Sequence, residues 1–164
     1  MKAVYFVYPG LGKTTLAKKN AKIVDIQIRL FKDAQLAKYI GTTDYPNYRG
    51  DFITKINPEF PNNLYKYALQ EIENGKILLL VPKADGYNLM KALNMTDYAF
   101  IMPDKERLEQ LRQDYIARGD NSDYIKRNLD ERYKSVLDYA NHIKKEIIFL
   151  KLGEYLSDIF KNIA

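Results

Sequence analysis

The run Val4-Tyr5-Phe6-Val7-Tyr8-Pro9-Gly10-Leu11-Gly12-Lys13-Thr14-Thr15 constrains this chain more than any other part of it. Its apolar first half reads as a buried strand and its middle as a glycine-rich turn, while Gly12-Lys13-Thr14-Thr15 followed by Leu16-Ala17 reads as a helix start. That is the pattern of a loop that wraps phosphates, a P-loop. Gly10 and Gly12 let the backbone curl with its N–H groups inward, and the helix that follows presents the positive end of its dipole to the same point. Lys13 would lie along the β- and γ-phosphates of a triphosphate, and the Thr14 hydroxyl would ligate a metal. ATP and Mg²⁺ are therefore the expected cofactors, with Pro9, Gly10, Leu11, Gly12, Lys13, Thr14 and Thr15 as the nucleotide-binding residues. The full pattern has glycine five residues before Gly12, where this chain has Val7, so the loop departs from it at that point.

A length of 164 residues with 46% hydrophobic and 29% charged side chains suits one domain with a proper core. Having no cysteine and a single histidine, His142, the chain excludes disulfides, thiol catalysis, cysteine-ligated zinc and multi-histidine metal sites. Any metal must be held by oxygen. The longest apolar run, 77–81, is far short of a membrane span, and the first strand meets the glycine loop too soon to be a signal peptide. A cytoplasmic protein without a membrane partner is expected. The net charge of +5 is spread along the chain, which favours a phosphate-rich small ligand and leaves a nucleic-acid end as an alternative substrate. Oligomeric state is not set by any of this.

Segments 2–8, 22–28, 76–81, 97–102 and 146–150 are β-rich and alternate with helical stretches. The alternation predicts an α/β fold of three layers around a mostly parallel five-stranded sheet. Helices are predicted from the glycine loop to about Asn20, from Pro61 to Gly75, from about Asp104 to Arg118 with a stop at Gly119, over 122–144, and from about Glu154. The irregular stretch 41–60 is long for a loop in a compact domain, which points to function or motion.

Arginines are the second informative feature: Arg107, Arg112, Arg118 beside Gly119, Arg127 and Arg132 flank a helix–turn–helix. Phosphoryl transfer leaves a protein little covalent chemistry, so a well-placed arginine that neutralises charge on the transferring group contributes about 10³ to 10⁵-fold. Solvated surface charge is the plain alternative for each. Arg132 argues against it, because at 100° per residue it falls between Leu129 and Val136 in the apolar stripe of its helix, where an unpaired charge is costly. It needs a phosphate or a buried carboxylate. Arg127 lies on the opposite side of that helix, and Arg118 combines a helix C-terminus with a hinge glycine that suits a lid. Asp25, near the end of the second strand, is the acidic candidate for metal or acceptor, since the C-terminal edge of such a sheet faces the phosphates; a strand-end salt bridge is the alternative.

Ile101-Met102-Pro103, the run Arg107-Leu108-Glu109-Gln110-Leu111-Arg112, Arg118-Gly119-Asp120, and Leu129-Asp130-Glu131-Arg132-Tyr133 before a last strand and short helix resemble guanylate-kinase-like nucleoside monophosphate kinases. The similarity is greatest to the small phage-type deoxynucleoside monophosphate kinases, which act in the host cytoplasm. Together with the P-loop it covers about two thirds of the chain and is weakest in the middle. The resemblance implies a single P-loop kinase domain over 1–164, with an acceptor-binding insertion at about 29–60 and a helical lid at about 112–132. It implies transfer from ATP to GMP or a deoxynucleoside monophosphate, with Lys13, Arg118, Arg127 and Arg132 catalytic, Asp25, Arg29, Tyr48 and Arg49 binding the acceptor, and Thr14 with Asp25 holding the metal. Polynucleotide 5′-kinases share nearly the same P-loop and Arg-Gly lid pattern, so a 5′-hydroxyl end is an alternative acceptor. The family's acidic residue after the third strand is missing, Pro82-Lys83 standing there with Asp85 further on. That departure and Val7 keep a nucleotide-binding module without transfer activity as a third reading.

Overall fold

The computed structural model describes residues 1–46, 52, 53 and 55–163. Five strands, β1 (Val4–Val7), β2 (Ile23–Asp25), β3 (Ile77–Leu80), β4 (Tyr98–Pro103) and β5 (Ile147–Leu150), form one sheet in the order β2-β3-β1-β4-β5. Every neighbouring pair is parallel, with Val4 opposite both Leu78 and Tyr98. The sheet is thus wholly parallel, where a mostly parallel one was expected. Its central strands are covered on both faces, which is why they read as unbroken apolar runs: Val4, Phe6, Val7 and Leu78 to Leu80 are fully buried.

The helices are α1 (Lys13–Lys19), α2 (Ile28–Lys32), a 3₁₀ turn (Ala34–Tyr39), α3 (Asn62–Glu73), α4 (Ala84–Ala92), α5 (Lys105–Ala117), α6 (Ser122–Ile125), a π-helical stretch (Lys126–Glu131), α7 (Arg132–His142) and α8 (Leu156–Ile159). Strand alternation sends Tyr5 and Phe6 to opposite faces. Tyr5 meets Phe160, just past α8, with ring centroids 5.2 Å apart. Phe6 meets Phe100 of β4 at 5.2 Å and Tyr87 of α4 at 5.1 Å, and Tyr87 stacks on Tyr139 of α7 at 4.0 Å. Helices therefore lie on both faces.

Three local expectations are corrected. The second strand ends at Asp25, and Ile28 already opens α2, because the edge strand finds ladder partners in β3 only for Ile23, Val24 and Asp25. The single helix expected over 122–144 is interrupted by the π stretch and ends at His142, with Lys144 at φ 57°. Helix α4 was not foreseen, since Asp85-Gly86 reads as a turn; yet Gly86 is where the helix packs closest to β1. A Cβ there would stand 2.8 Å from Cε1 of Phe6.

All C-terminal strand ends share one edge. The chain leaves β1 towards β2 on one side and β4 towards β5 on the other, so the ends of β1 and β4 flank the crevice where open α/β sheets bind ligands.

Candidate functional site

The turn after β1 occupies that crevice. Val7 is a ladder residue, paired with Ile101 and fully buried, so the turn begins one residue later, at Tyr8. Gly10 (φ 87°) and Gly12 (φ 94°) both adopt left-handed backbone that side chains disfavour, and Gly12 leads directly into α1. At Gly10 a Cβ would come 3.0 Å from Leu111 Cδ2, so the turn is pressed against α5. Leu11 is buried beneath it, while Thr15 is exposed and Pro9 half-buried.

Lys13, first residue of α1, is only 7% exposed and has no ion pair among the described residues. Burial pushes its ammonium below the ordinary lysine pKa; Asp25 opposes this, while Arg132 and then Lys83 add to it. Lys83, the exposed N-cap of α4, is likewise lowered, first by desolvation and then by Arg132. Three cations from the β1 turn, the β3 turn and the start of α7 thus act on one another. Arg132 is half-buried, as its place in the helical stripe predicts, and it too has no ion pair among the described residues.

Asp25 lies on the other side of Lys13, at the end of β2. Its Oδ2 accepts hydrogen bonds from the Thr14 hydroxyl (2.7 Å) and from Gln27 Nε2 (2.8 Å). Its Oδ1 is buried and, among the described residues, has no hydrogen-bond partner. Tyr45 also reaches this corner, its side chain in hydrogen-bonding contact with Thr14, and burial raises its pKa. The sequence pairs Thr14 with Asp25 only through the strand-end argument. Gln27 stands where some kinases of the resembled family have a second carboxylate, whereas Tyr45 carries no pattern that would have marked it.

The remaining arginines divide differently. Arg118 is exposed, pairs with Asp120 and lies over the Tyr115 ring at 4.1 Å. Arg127 is exposed on the π stretch. Arg112 is a strut, its Nη1 donating to Asp130 Oδ2 at 3.0 Å and its Nε to Glu109 Oε2 at 3.0 Å, which ties α5 to the π stretch. Arg29 lies on α2 with its Nε 3.7 Å from Asp33 Oδ2. Tyr48 and Arg49 lie outside the described residues. Asp85, in the first turn of α4, faces Lys32 at 3.5 Å.

One cavity adjoins the glycine turn and a second lies between the start of α4 and α7. The first, of about 400 Å³, is bounded by Gly10, Leu11, Gly12, Arg107 and Tyr155, the last 65% exposed. The second, also of about 400 Å³, is bounded by Lys83, Tyr87, Arg132 and Tyr139. A third, about 500 Å³, lies between Phe31, Asn63, Lys66 and Tyr67 on the β2 side. Among the described residues no helix is long and apolar enough to cross a membrane.

Comparison with models of known protein families gives no match, and comparison with curated protein sequences gives none.

Proposed function

We propose that the protein is an ATP- and Mg²⁺-dependent kinase that phosphorylates a nucleoside monophosphate. The observation that carries this reading is that Lys13, after a turn with two left-handed glycines, feels the charges of Lys83 and Arg132, with no carboxylate among the described residues in ion-pair contact with Lys13 or Arg132. A buried lysine and a half-buried arginine without an ion pair among the described residues cost free energy that a bound polyphosphate would return. The turn would wrap the phosphates, Lys13 would neutralise the β- and γ-groups, and Arg132 would meet charge that develops on the transferring phosphoryl group. The Arg107 and Tyr155 cavity beside Gly10 has the size and the aromatic and cationic walls for a nucleoside.

Hard cations take oxygen ligands, and the Thr14 hydroxyl with Asp25, whose Oδ1 has no hydrogen-bond partner among the described residues, would fit a Mg²⁺ that draws its other ligands from phosphate and water. Bound there, Mg²⁺ would spread the negative charge of the polyphosphate. Lys13 and Arg132 position the donor, and transfer proceeds in line to an acceptor held on the β2 side, without a covalent enzyme intermediate.

The Asp25 Oδ1, unpartnered among the described residues, also favours a second reading. A hydroxyl acceptor, such as the 5′ end of a polynucleotide, has a proton to lose, and a carboxylate with one free oxygen suits its removal. A phosphate acceptor needs no such base. Incubation with ATP and Mg²⁺ and, in separate reactions, each nucleoside monophosphate or a 5′-hydroxyl oligonucleotide decides between them. Diphosphate product supports the first reading and a 5′-phosphorylated oligonucleotide the second; ATP binding with no product from any acceptor leaves a nucleotide-binding module.

A further inference from the structure

Tyr8 is a fully buried tyrosine whose hydroxyl reaches far across the chain. Its backbone is held on the sheet by its N–H bond to Ile101 O (2.9 Å), and its side chain donates to Leu129 O at 2.8 Å, with Asn128 O at 3.3 Å. Both carbonyls belong to the π stretch. Leu129 O is also the acceptor for the backbone N–H of Arg132. One carbonyl therefore joins the residue that opens the glycine turn to the arginine whose charge acts on Lys13.

The helical geometry makes this contact consequential. A π turn spaces its bonds five residues apart rather than four, which leaves carbonyls poorly satisfied within the helix and is often seen at functional sites. Returning the stretch to α-helical spacing would turn Arg132 relative to α6 by about one residue, ~100°. Arg132 would then leave the position from which its charge acts on Lys13. The Tyr8 ring is itself wedged edge-on against Tyr133 at 5.8 Å, and Tyr133 donates to Pro103 O at 2.7 Å, so the first turn of α7 is pinned to the ends of both β1 and β4. Arg112 holds the outer side of the π stretch through Asp130.

We infer that Tyr8 is a positioning residue for phosphoryl transfer: its hydroxyl, through Leu129 O, sustains the wide helical turn that sets Arg132 over the glycine turn. The inference rests on the proposed role of Arg132 as a phosphate ligand. Burial raises the Tyr8 pKa, with Arg132 pulling the other way, so the hydroxyl stays a donor across the working range.

Tyr8→Phe removes one oxygen and keeps the ring. Three measurements on the full chain test it beside wild type: amide hydrogen exchange over 126–132, the NMR shift of the Arg132 side-chain N–H on adding inorganic tripolyphosphate, and steady-state kinetics. In Tyr8→Phe the amides of the π stretch should exchange about tenfold faster, while the melting curve and circular dichroism stay close to wild type. The Arg132 shift induced by tripolyphosphate should shrink, and kcat should fall roughly 10- to 100-fold with little change in KM for ATP. In an Arg132→Ala background the same substitution should cost almost nothing further. An equal Arg132 shift in both proteins, or losses that multiply fully in the double variant, would overturn the inference. A wild-type Arg132 signal that ignores tripolyphosphate overturns it as well, since Tyr8 then has nothing to position. If wild type transfers phosphate to no acceptor, the kinase reading fails, and the tripolyphosphate shift still decides the role of Tyr8.

Discussion

Lys13 is the residue whose energetics are hardest to explain without a ligand. A buried ammonium with no carboxylate in ion-pair contact among the described residues carries a desolvation cost that the more distant charge of Asp25 only partly offsets. Lys13→Met should therefore melt at the same temperature as wild type or higher, and should lose ATP binding; a clearly lower melting temperature would make Lys13 a structural residue. The sign of the pH dependence follows from its lowered pKa. Below the folded-state value the ammonium is charged in both states and the penalty is present in full. As pH rises towards the ordinary 10.5, the folded form sheds its proton first and the penalty fades. Wild-type stability relative to Lys13→Met should accordingly rise with pH in that window, measured by denaturant titration in parallel. Arg132 allows a sharper separation of charge from shape. Arg132→Lys keeps the charge but loses the planar fork that matches phosphate oxygens, so turnover should drop about 10²-fold or more while the melting curve stays put. Activity near wild type in that variant would remove Arg132 from the chemistry.

Elements place these residues, and two of them do so against their local sequence. Helix α4 contains Gly86, which normally weakens a helix by about 0.5–1 kcal/mol relative to alanine. Here the missing side chain lets α4 approach Phe6, so Gly86→Ala should destabilise the protein by roughly 1–3 kcal/mol instead of stabilising it. Thermal melting checks the sign, and a gain would mean that the Phe6 ring moves aside at no cost. The π stretch is the second case. Its residues, Lys126 to Glu131, carry ordinary helical propensity, and periodicity alone projects one continuous helix through them. Contacts from outside, the Tyr8 hydroxyl and the Arg112 guanidinium, hold the wider turn.

At the scale of the molecule, the parallel sheet gathers the turns after β1, β2 and β3 and the start of α7 at one edge. Those turns contribute Lys13, Asp25 and Lys83, which lie far apart in sequence. A ligand that satisfies this group should stabilise the whole domain, because it binds the folded chain alone. ATP with Mg²⁺ at about a hundred times its dissociation constant should add about 2.7 kcal/mol, raising the melting temperature by roughly 5–10 °C. Inorganic tripolyphosphate should give part of the shift and Lys13→Met none. No shift with either compound in wild type would remove the phosphate site.

Local chemistry was enough to read the presence of five strands, the glycine turn and the half-burial of Arg132. Apolar runs long enough for a doubly covered sheet, left-handed positions that only glycine fills cheaply, and a charge inside an apolar helical stripe all leave marks within a few residues. The short strand β2, the helix hidden behind Asp85-Gly86 and the π stretch left no such marks, because each is set by partners distant in the chain: the β3 ladder, the Phe6 ring, and Tyr8 with Arg112. The arginines show the same division. Arg112 and Arg118 bind carboxylates of Glu109, Asp130 and Asp120, whereas Arg132 has none in ion-pair contact among the described residues. Sequence spacing decides which side of its own helix a charge occupies; only the packed fold decides whether a carboxylate waits on that side or a phosphate-sized gap.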